Sequence, residues 1–250
     1  MKPKAIHKRL DLLLVERGIA ESPKEALAMV LAGEVRVDGE RTDKAGTSIA
    51  IDAQIEVTSR AQKFVSRGGV KLEGALADFK IDPKGRICLD IGSSTGGFTD
   101  CLLSHGAARV YAVDVSMEQL DWKLRQDPRV VRIERNAREL DGAELPQKAG
   151  IVVIDVSFIS VGKVLGPALS EAEENADILI LIKPQFEMSR EEIPPGGVVT
   201  DEKLHEKAIA KVRQEVESLG LAFLGMQRSH LLGAEGNQEY FLHARKKSLE

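Results

Sequence analysis

Short apolar runs recur from residue 87 onward and alternate with stretches of helical spacing. The apolar positions of one long helix fall at Leu204, Ile209, Val212, Val216 and Leu219. The predicted strands, in chain order, are 87–91, 109–114, 130–133, 151–155, 177–183, 221–228 and 239–245. Strands that alternate with helices predict the α/β class, with a doubly wound, Rossmann-like sheet.

The N-terminal part has a different pattern and predicts a small α+β domain. Residues 9–15 predict a helix, and Ser22-Pro23-Lys24-Glu25 has the form of a capping box with proline at the first helical position. Asp38-Gly39 follows a short alternating segment and is typical of a hairpin turn. The expected organisation is therefore a domain at 1–58, a linker at 59–68 and a larger domain at 69–250.

A glycine-rich turn follows the first apolar strand. Its pattern is Asp90-x-Gly92-x-x-x-Gly96-Gly97, and Phe98 then begins the next predicted helix. Glycines without a Cβ and the free N–H groups of a helix start allow the backbone to approach a ligand closely. A dinucleotide fingerprint needs glycine where this chain has Ser94, so the spacing fits S-adenosylmethionine better. The alternative is an ordinary strand–turn–helix connection.

Polar residues end the next two strands. Asp114 lies about 20 residues beyond the glycine turn, where an acid can bind ribose hydroxyls. Asn136 follows the third predicted strand. Both residues fall at the carboxyl ends of their strands, where ligands bind in open α/β sheets. The alternative for Asp114 is a surface carboxylate without a ligand.

Asp155 and Lys183 each end a strand that is otherwise apolar. An unpaired buried charge is costly, so the two side chains could simply neutralise each other. They also fall at the edge of the sheet where ligands bind. A lysine there can lose its proton more readily than in water and act as a general base toward a hydroxyl, with Asp155 orienting it.

Composition limits the classes of function. The chain has 250 residues, 43% of them hydrophobic, which is enough for a folded core. It has no apolar run of membrane-spanning length and no signal peptide, so we expect a cytoplasmic protein without a membrane partner. Cys88 and Cys101 suit a reducing compartment, and neither they nor the histidines have metal-binding spacing, so no metal is expected. The net charge is −4, although the N-terminal segment is locally basic, with Lys2, Lys4, Lys8 and Arg9.

The N-terminal part is similar to the S-four RNA-binding domain. The resemblance is carried by Arg9-Leu10-Asp11, by the helix that starts at Ser22 and by Gly33-x-Val35-x-Val37-x-Gly39. It implies that this domain binds RNA. The alternative is a small capping domain that binds nothing.

Lys71, Asp155, Lys183 and Glu239 resemble the Lys-Asp-Lys-Glu tetrad of ribose 2′-O-methyltransferases of the FtsJ type. The motifs that carry the resemblance lie at 67–72, 155–160, 183–187 and 236–240. Together with the N-terminal domain, they resemble the TlyA family, also called hemolysin A-like rRNA methyltransferases. This resemblance implies S-adenosylmethionine as cofactor and ribosomal RNA or ribosomal subunits as partner, with cytidine 2′-hydroxyls as the target.

The resemblance also implies roles for individual residues. Lys183 would take the proton from the ribose hydroxyl. Lys71 and Asp155 would hold Lys183 and the hydroxyl in place, and Glu239 would position Lys71 or the ribose. Asp114 would bind the ribose of the cofactor and Asn136 the adenine edge. The full set of expected cofactor-binding residues is Gly92, Ser94, Gly96, Phe98, Asp114 and Asn136.

Three other functions stay open. The hemolysin name suggests a membrane-active toxin, although the chain has no long amphipathic basic helix. A catalytically silent RNA-binding assembly factor is a second alternative, against which the intact tetrad argues. A methyltransferase for small molecules is a third, against which the N-terminal resemblance argues. The long segment 184–200 is a candidate lid, and neither the target nucleotide nor the oligomeric state follows from the sequence.

Overall fold

The chain divides into two compact units, Met1–Gln62 and Lys63–Glu250. In the computed structural model, the structure is described for residues 7–20, 22–31, 33–57, 63–233 and 235–247. Lys2 and Lys4 of the basic segment, and Arg60 of the predicted linker, lie outside the described residues. Each unit has its own hydrophobic core.

The first unit combines two short helices with two small antiparallel sheets. One sheet pairs β1 with β4, and the other has the order β3-β2-β5. Leu10, Leu14, Val30 and Val35 are fully buried in its core. The elements of this unit are β1 (His7–Arg9), α1 (Leu10–Glu16), α2 (Pro23–Leu31), β2 (Val35–Val37), β3 (Glu40–Arg41), β4 (Ser48–Ala50) and β5 (Ile55–Val57).

Two local signals in the first unit act as the sequence predicts. The Ser22 hydroxyl accepts a hydrogen bond from the Glu25 N–H at 3.2 Å, which is one half of a capping box. Asp38 and Gly39 both have positive φ, 50° and 84°, so the β2–β3 connection is a turn of the kind that matches the twist of a hairpin. The predicted small α+β fold of this part is confirmed.

The second unit is built on a seven-stranded sheet with the order β11-β12-β10-β9-β6-β7-β8. The five strands from β10 to β8 are parallel, whereas β12 is antiparallel to both of its neighbours. The elements are α3 (Arg67–Phe79), β6 (Ile87–Ile91), α4 (Gly97–Ser104), β7 (Arg109–Asp114), α5 (Trp122–Gln126), β8 (Val130–Glu134), β9 (Ala149–Ile154), α6 (Gly162–Ser170), β10 (Ala172–Ile182), α7 (Pro184–Glu187), α8 (Glu202–Ser218), β11 (Ala222–Arg228) and β12 (Tyr240–Arg245).

Two hydrophobic clusters cover the two faces of this sheet. Along β9, Val152 and Ile154 belong to one cluster with residues of α6 and α8, while Ile151 and Val153 belong to the other with residues of α3 and α4. Successive residues of a strand point to opposite faces, so a strand between two helical layers needs apolar residues at every position. The predicted doubly wound α/β fold is therefore confirmed. The apolar runs of the sequence are continuous because these strands are buried on both faces.

The elements that the sequence did not predict have weak local signals. Helix α6 contains Gly162, Gly166 and Pro167, all of which are poor helix formers. Strand β10 begins at Ala172, five residues before the predicted start, because Glu173, Glu174 and Asn175 interrupt the apolar pattern. Helix α3 begins at Arg67, inside the stretch predicted as a linker.

Among the described residues, none of the helices is both long enough and apolar enough to cross a bilayer.

A network of charged residues surrounds Asp177, in the middle of β10. The Asp177 carboxylate is buried and accepts hydrogen bonds from Arg86 at 2.7 Å, Arg245 at 2.7 Å and His243 at 3.0 Å. Burial by itself would raise the pKa of Asp177, but the hydrogen bonds from these three residues hold that pKa well below its usual range. The ionised carboxylate therefore stabilises the folded state.

We expect Asp177→Asn to destabilise the protein by about 2–3 kcal/mol at pH 7, because hydrogen bonds between charged groups are lost. A carboxyl whose pKa is lowered by folding contributes stability above its ordinary value of 3.8, and that contribution is lost as the pH falls below it. Urea unfolding at pH 7 and pH 3 measures both effects: the variant should differ from the wild type less at pH 3. Glu202→Gln, which removes an exposed ion pair with Arg228, is the control and should have little effect.

Candidate active site

Three of the four tetrad residues lie side by side because their strands are neighbours. The ladders end with Ile154 opposite Ile180 and with Ile182 opposite Tyr240. The residues that follow β9 and β10 and precede β12 are Asp155, Lys183 and Glu239. The topology thus brings these side chains to the carboxyl edge of the sheet, next to the turn that follows β6. Lys71 reaches the same place from α3.

The tetrad forms two ion pairs. The amine of Lys183 lies 2.5 Å from Asp155 Oδ1, and the amine of Lys71 lies 2.6 Å from Glu239 Oε2. All four side chains are largely removed from solvent, with Asp155 the most exposed at 22%. Ser157 adds a further partner, since its hydroxyl accepts a hydrogen bond from Lys183 Nζ at 2.9 Å. The arrangement places two amines and two carboxylates at one edge of an apolar sheet.

A cavity of about 150 Å³ joins the tetrad to the glycine turn. Lys71 and Asp155, one member of each ion pair, contribute to its wall. The residues that line it are Ser66, Gly68, Lys71, Gly92, Ser93, Ser94, Thr95, Gly97, Phe98 and Asp155. Five predicted site residues therefore lie around one cavity: Lys71 and Asp155 of the tetrad, and Gly92, Ser94 and Phe98 of the turn region.

Two glycines of the turn are required by close approaches. Gly92 has φ 81°, and a Cβ there would collide with the backbone oxygen of Asp155. Gly96 has φ 94°, and a Cβ there would collide with the side chains of Leu120 and Leu124. Gly92 thus needs glycine for conformation and for space, and Gly96 needs it for its conformation. The turn is packed directly against the backbone of Asp155, a member of the tetrad.

Asp114 and Ser94 contact each other. Ser94 has a positive φ of 48°, and its N–H donates a hydrogen bond to Asp114 Oδ2 at 2.9 Å. Phe98, by contrast, is buried in α4, lines the cavity and packs on Phe241 with ring centroids 6.0 Å apart. The predicted residues Ser94, Phe98 and Asp114 therefore lie around the same turn.

Asn136 has a structural task in this structure. Its Oδ1 accepts hydrogen bonds from the N–H of Arg138 at 3.1 Å and from Arg138 Nε at 3.2 Å. It caps a short 3-10 turn, Ala137–Glu139, that follows β8. Asn136 is not among the residues that line the cavity.

Asp90 is a buried acid whose importance the sequence indicated only through the turn pattern. It is 1% exposed and lies in β6, where its Oδ2 accepts a hydrogen bond from the Thr99 hydroxyl at 2.6 Å. Within the described part of the chain, its Oδ1 and the neighbouring Ser93 hydroxyl are buried without a hydrogen-bond partner. Burial raises the pKa of Asp90 to about 7, and the nearby carboxylates of Asp155 and Asp114 add to the rise. Buried polar atoms without partners are rare and call for a ligand or a functional reason.

Phe158 stands out on the surface beside the tetrad, and sequence reasoning assigned it no role. It is 87% exposed, and its backbone has a positive φ of 66°, which is unusual for a bulky residue. Its ring lies 5.1 Å from the ring of Phe186, and the Lys183 amine lies 5.9 Å from the Phe186 ring. A strained, exposed aromatic ring at this place is a candidate contact for a planar ligand.

The candidate lid, 184–200, is attached to the sheet at both ends. Glu187 near its start is buried and hydrogen-bonded to the loop after β9. Near its end, the N–H of Val199 donates to Asn237 Oδ1 at 2.8 Å, and Val199 O lies 2.8 Å from His205 Nε2. Whether the segment closes over a ligand stays a prediction.

One group of three acids in the described residues is close enough to share an ion: Asp141, Glu144 and Glu171. Cations already neutralise it, since Arg135 pairs with Glu144 and Lys148 lies 3.2 Å from Glu171. The N–H groups of Glu144 and Leu145 also donate to the Glu171 carboxylate. The carboxylates of this group therefore have cationic and N–H partners within the chain.

Comparison with known protein families gives two matches. Residues 64–246 match the family model of the FtsJ-like methyltransferases, and residues 8–55 match the S4 domain, which is the S-four module expected from the sequence. The two matched stretches lie in the second and the first compact unit respectively.

Comparison with individual proteins gives full-length relatives. The chain is 44% identical to the 16S/23S rRNA (cytidine-2′-O)-methyltransferase TlyA of Mycobacterium tuberculosis, over 96% of this chain and 90% of that protein. It is 42% identical to Hemolysin A of Brachyspira hyodysenteriae, over 94% of this chain and 98% of that protein. A solved structure of a suggested hemolysin from Streptococcus thermophilus is similar, with a TM-score of 0.77, 37% identity and coverage of 98% and 90% of the two chains.

The raised pKa of Asp90 predicts a pH-dependent stability with a definite sign. Folding raises this pKa from 3.8 to about 7, so the folded state binds the proton more tightly than the unfolded chain. The contribution of Asp90 to stability is thus greatest below pH 4 and falls by up to about 1.4 kcal/mol per pH unit as the pH rises toward 7. Asp90→Asn should lack this dependence.

Urea unfolding of the ligand-free wild type and of Asp90→Asn, between pH 5 and pH 8, measures the effect. The difference in unfolding free energy between the two proteins should change by at least 1 kcal/mol across this range by the same linkage, in favour of the variant at higher pH. Parallel pH profiles would show that Asp90 is ionised throughout.

Proposed function

The chain belongs to the FtsJ-like methyltransferase family, and from this membership we propose that it transfers a methyl group from S-adenosylmethionine to ribose 2′-hydroxyls of ribosomal RNA. One observation carries the proposal: the ion pairs Lys183–Asp155 and Lys71–Glu239 meet at a cavity that the glycine turn also lines. The proposed base and the glycine turn proposed to bind the cofactor therefore lie next to each other. The relative from M. tuberculosis supports cytidine as the modified nucleotide.

The polar atoms and the glycines of the turn region are compatible with bound S-adenosylmethionine. Asp90 Oδ1 and the Ser93 hydroxyl are buried polar atoms without partners in the described part of the chain, and they would accept donors from the cofactor. The glycines at 92 and 96 keep side chains out of the turn, so a ligand can lie against its backbone. S-adenosylmethionine supplies a methyl group on a positively charged sulfur, which an oxygen nucleophile can attack in line.

We assign the expected cofactor contacts around the turn. Gly92, Gly96 and Phe98, together with Ser94, would surround the methionine part, and Asp114 would bind the ribose hydroxyls. The Oδ1 of Asn136 already caps a turn, so its amide N–H₂ group is the part available to the adenine edge. A bound cation near Asp90 would favour the ionised carboxylate and lower its raised pKa.

Lys183 is the proposed base. Lys183 would act in its neutral form, after its ammonium has released a proton to solvent: Nζ would then accept the proton of the ribose 2′-hydroxyl, and the Asp155 carboxylate 2.5 Å away would stabilise the ammonium that forms again. The Ser157 hydroxyl, which is exposed and bonded to Lys183 Nζ, offers a route for this proton to solvent. Lys71, held by Glu239, places a second positive charge at the cavity wall, where it would orient the hydroxyl oxygen. Positioning of the two reactants contributes several kcal/mol to such reactions, on the order of 7–11 at best.

The S4 domain in the first unit is the proposed RNA-binding element. Arg36 and Arg41 are opposite each other on β2 and β3 and are exposed, which gives this small sheet cationic side chains for phosphates. We propose the division of labour in which the part at 1–58 binds RNA, 59–68 connects, and 69–250 carries the chemistry. A ribosomal substrate would place this reaction in the cytoplasm.

The hemolysin name marks the second candidate function. The relative that carries this name is 42% identical and matches almost the whole chain, so one family includes both names. A membrane-lytic activity would not require the Lys183–Asp155 pair, whereas methyl transfer would. A liposome-leakage assay with the wild type and with a Lys183 variant distinguishes the two.

We expect Lys183→Ala to lower the rate of 2′-O-methylation of ribosomal subunits by at least about 100-fold, because the general base is removed. The affinity for S-adenosylmethionine, measured by calorimetry, should change little. Lys207→Ala, on the exposed face of α8, is the matched control and should retain full activity. Mapping of 2′-O-methyl groups on the RNA by mass spectrometry gives the rate and the site. Near-normal methylation by Lys183→Ala would rule out its role as base.

Phe158 is the proposed platform for the base of the target nucleotide. Its exposed ring lies beside Phe186, next to the amine that would take the hydroxyl proton. Stacking of a nucleobase on an aromatic side chain contributes about 1–3 kcal/mol. A ring at this place would hold the target ribose toward the Lys183–Asp155 pair.

Phe158→Ala should therefore reduce kcat/KM for ribosomal subunits by roughly 5- to 150-fold, which corresponds to the stacking energy. Phe158→Tyr should retain most of the activity, because a tyrosine ring stacks equally well. S-adenosylmethionine affinity should be unchanged in both variants. Leu224→Ala, another exposed apolar residue, serves as the control. Equal loss in the alanine and tyrosine variants would contradict stacking.

A further inference from the structure

The two loops that carry the catalytic pair leave the sheet without ladder contacts between them. The parallel pairing of β9 and β10 ends at Ile154 and Ile180, before Asp155 and Lys183. Beyond that point, the distance between the loops depends on side chains. The loop after β9 contains Asp155, Ser157 and Phe158, and the loop after β10 contains Lys183 and Phe186.

Glu187 connects these loops. It ends α7, four residues after Lys183, and its side chain is 1% exposed. Its Oε1 accepts a hydrogen bond from the N–H of Val161 at 2.7 Å, and its Oε2 accepts one from the Ser160 hydroxyl at 2.6 Å. One carboxylate thus fixes the far end of the loop after β9 to the loop after β10.

A third element holds this carboxylate. Lys211 on α8 lies 2.9 Å from Glu187 Oε2, and its amine also donates to the Glu187 backbone oxygen at 2.9 Å and to the Ser160 hydroxyl at 3.0 Å. The charge of the buried carboxylate is therefore compensated, as burial requires. Glu215, one turn further along α8, lies against Gly162, where a Cβ would come within 2.6 Å of its carboxylate.

The fixed end of the loop explains how Phe158 keeps its backbone conformation. A bulky residue at positive φ is strained and persists only where its surroundings impose that conformation. Ser160 and Val161, the two residues bonded to Glu187, follow Phe158 by two and three positions. On its other side, Ser157 is bonded to Lys183. The strained residue lies between these two attachments.

We propose that Glu187 is a positioning residue for the methyl transfer: its buried carboxylate sets the distance between the Asp155 and Lys183 loops and holds Phe158 in its exposed, strained conformation. The inference rests on the proposed function, because the geometry that Glu187 maintains is that of the proposed base and stacking platform. Glu187 touches neither the cavity nor the reacting atoms and acts through Ser160, Val161 and the loop between them.

The test compares Glu187→Gln with Glu192→Gln. Glu192 lies in the same segment and pairs with Lys207 on α8, but its side chain is 30% exposed, and its hydrogen bonds go to Ser189 and Lys207. Glu187→Gln should lower kcat with saturating subunits and S-adenosylmethionine by about 100-fold, the cost of a displacement of roughly 1 Å at a reacting centre. Its affinity for S-adenosylmethionine should stay within about twofold of the wild type, since the glycine turn is intact and sites without shared partners affect each other little. Glu192→Gln should match the wild type in all respects.

A second variant keeps the inference testable if Glu187→Gln folds poorly. Ser160→Ala removes one hydrogen bond but leaves the carboxylate paired with Lys211 and Val161. It should reduce kcat by about tenfold, which corresponds to one hydrogen bond to a charged group. Hydrogen exchange provides a readout that does not need activity: the amide of Val161 should exchange faster in Glu187→Gln, and the amides of the glycine turn should not.

The outcomes separate the two proposals. A wild-type protein that neither binds S-adenosylmethionine nor methylates subunits would overturn the proposed function, and this inference with it. An active wild type with equally active Glu187→Gln and Ser160→Ala variants would overturn only the role of Glu187. A loss of S-adenosylmethionine affinity as large as the loss of kcat would also overturn it, because the effect would then be a general one on the fold.

Discussion

The structure depends on the cost of ending apolar strands with charged side chains. Asp155 follows a strand that is buried throughout, Lys183 follows the buried part of β10 at 176–182, and each charge would be expensive alone. Parallel neighbours bring them to the same edge of the sheet, where they form a pair of 2.5 Å. The antiparallel β12 adds Glu239 at the next position, and α3 supplies Lys71 as its partner. The four charges neutralise one another in an environment of low dielectric, where the movement of one proton has a large effect on the rest.

Close backbone packing gives this charged edge its neighbour, the glycine turn. Gly92 lies so near the Asp155 carbonyl that no side chain fits between them. The turn and the tetrad therefore form one wall, and a ligand bound along the turn has to lie beside Lys71 and Asp155. At the end of β6 and in the turn, Asp90 and Ser93 keep buried polar atoms without partners within the described residues, whereas the Asp177 carboxylate is fully paired. This contrast separates a site shaped for a ligand from a network shaped for stability.

The sequence was sufficient for the parts of the fold and the site that are encoded by local patterns. The apolar runs predicted the strands. Because the carboxyl ends of parallel strands meet at one edge of a sheet, the sequence also placed Asp155 and Lys183 together at that edge. It was not sufficient for α6, whose glycines and proline are poor helix formers. It was also not sufficient for the start of β10, where Glu173, Glu174 and Asn175 are polar. It also missed Phe158 and Glu187, since an exposed ring and a buried carboxylate differ from ordinary ones only through long-range contacts. The catalytic roles of the tetrad stay predictions, as do the cofactor roles of Gly92, Ser94, Gly96, Phe98, Asp114 and Asn136.

The loops at this edge illustrate how a rigid sheet can support a strained site. The ladder fixes Asp155 and Lys183 only at their strands, so the residues beyond need their own attachments. Ser157 is held by Lys183 on one side of Phe158, and Ser160 and Val161 are held by Glu187 on the other. A backbone that is attached on both sides of one residue can keep that residue at positive φ, because relaxation would break hydrogen bonds to charged groups that together exceed the strain. The ring of Phe158 is thus presented to solvent by a loop that Lys183, the proposed base, holds on one side and Glu187 on the other.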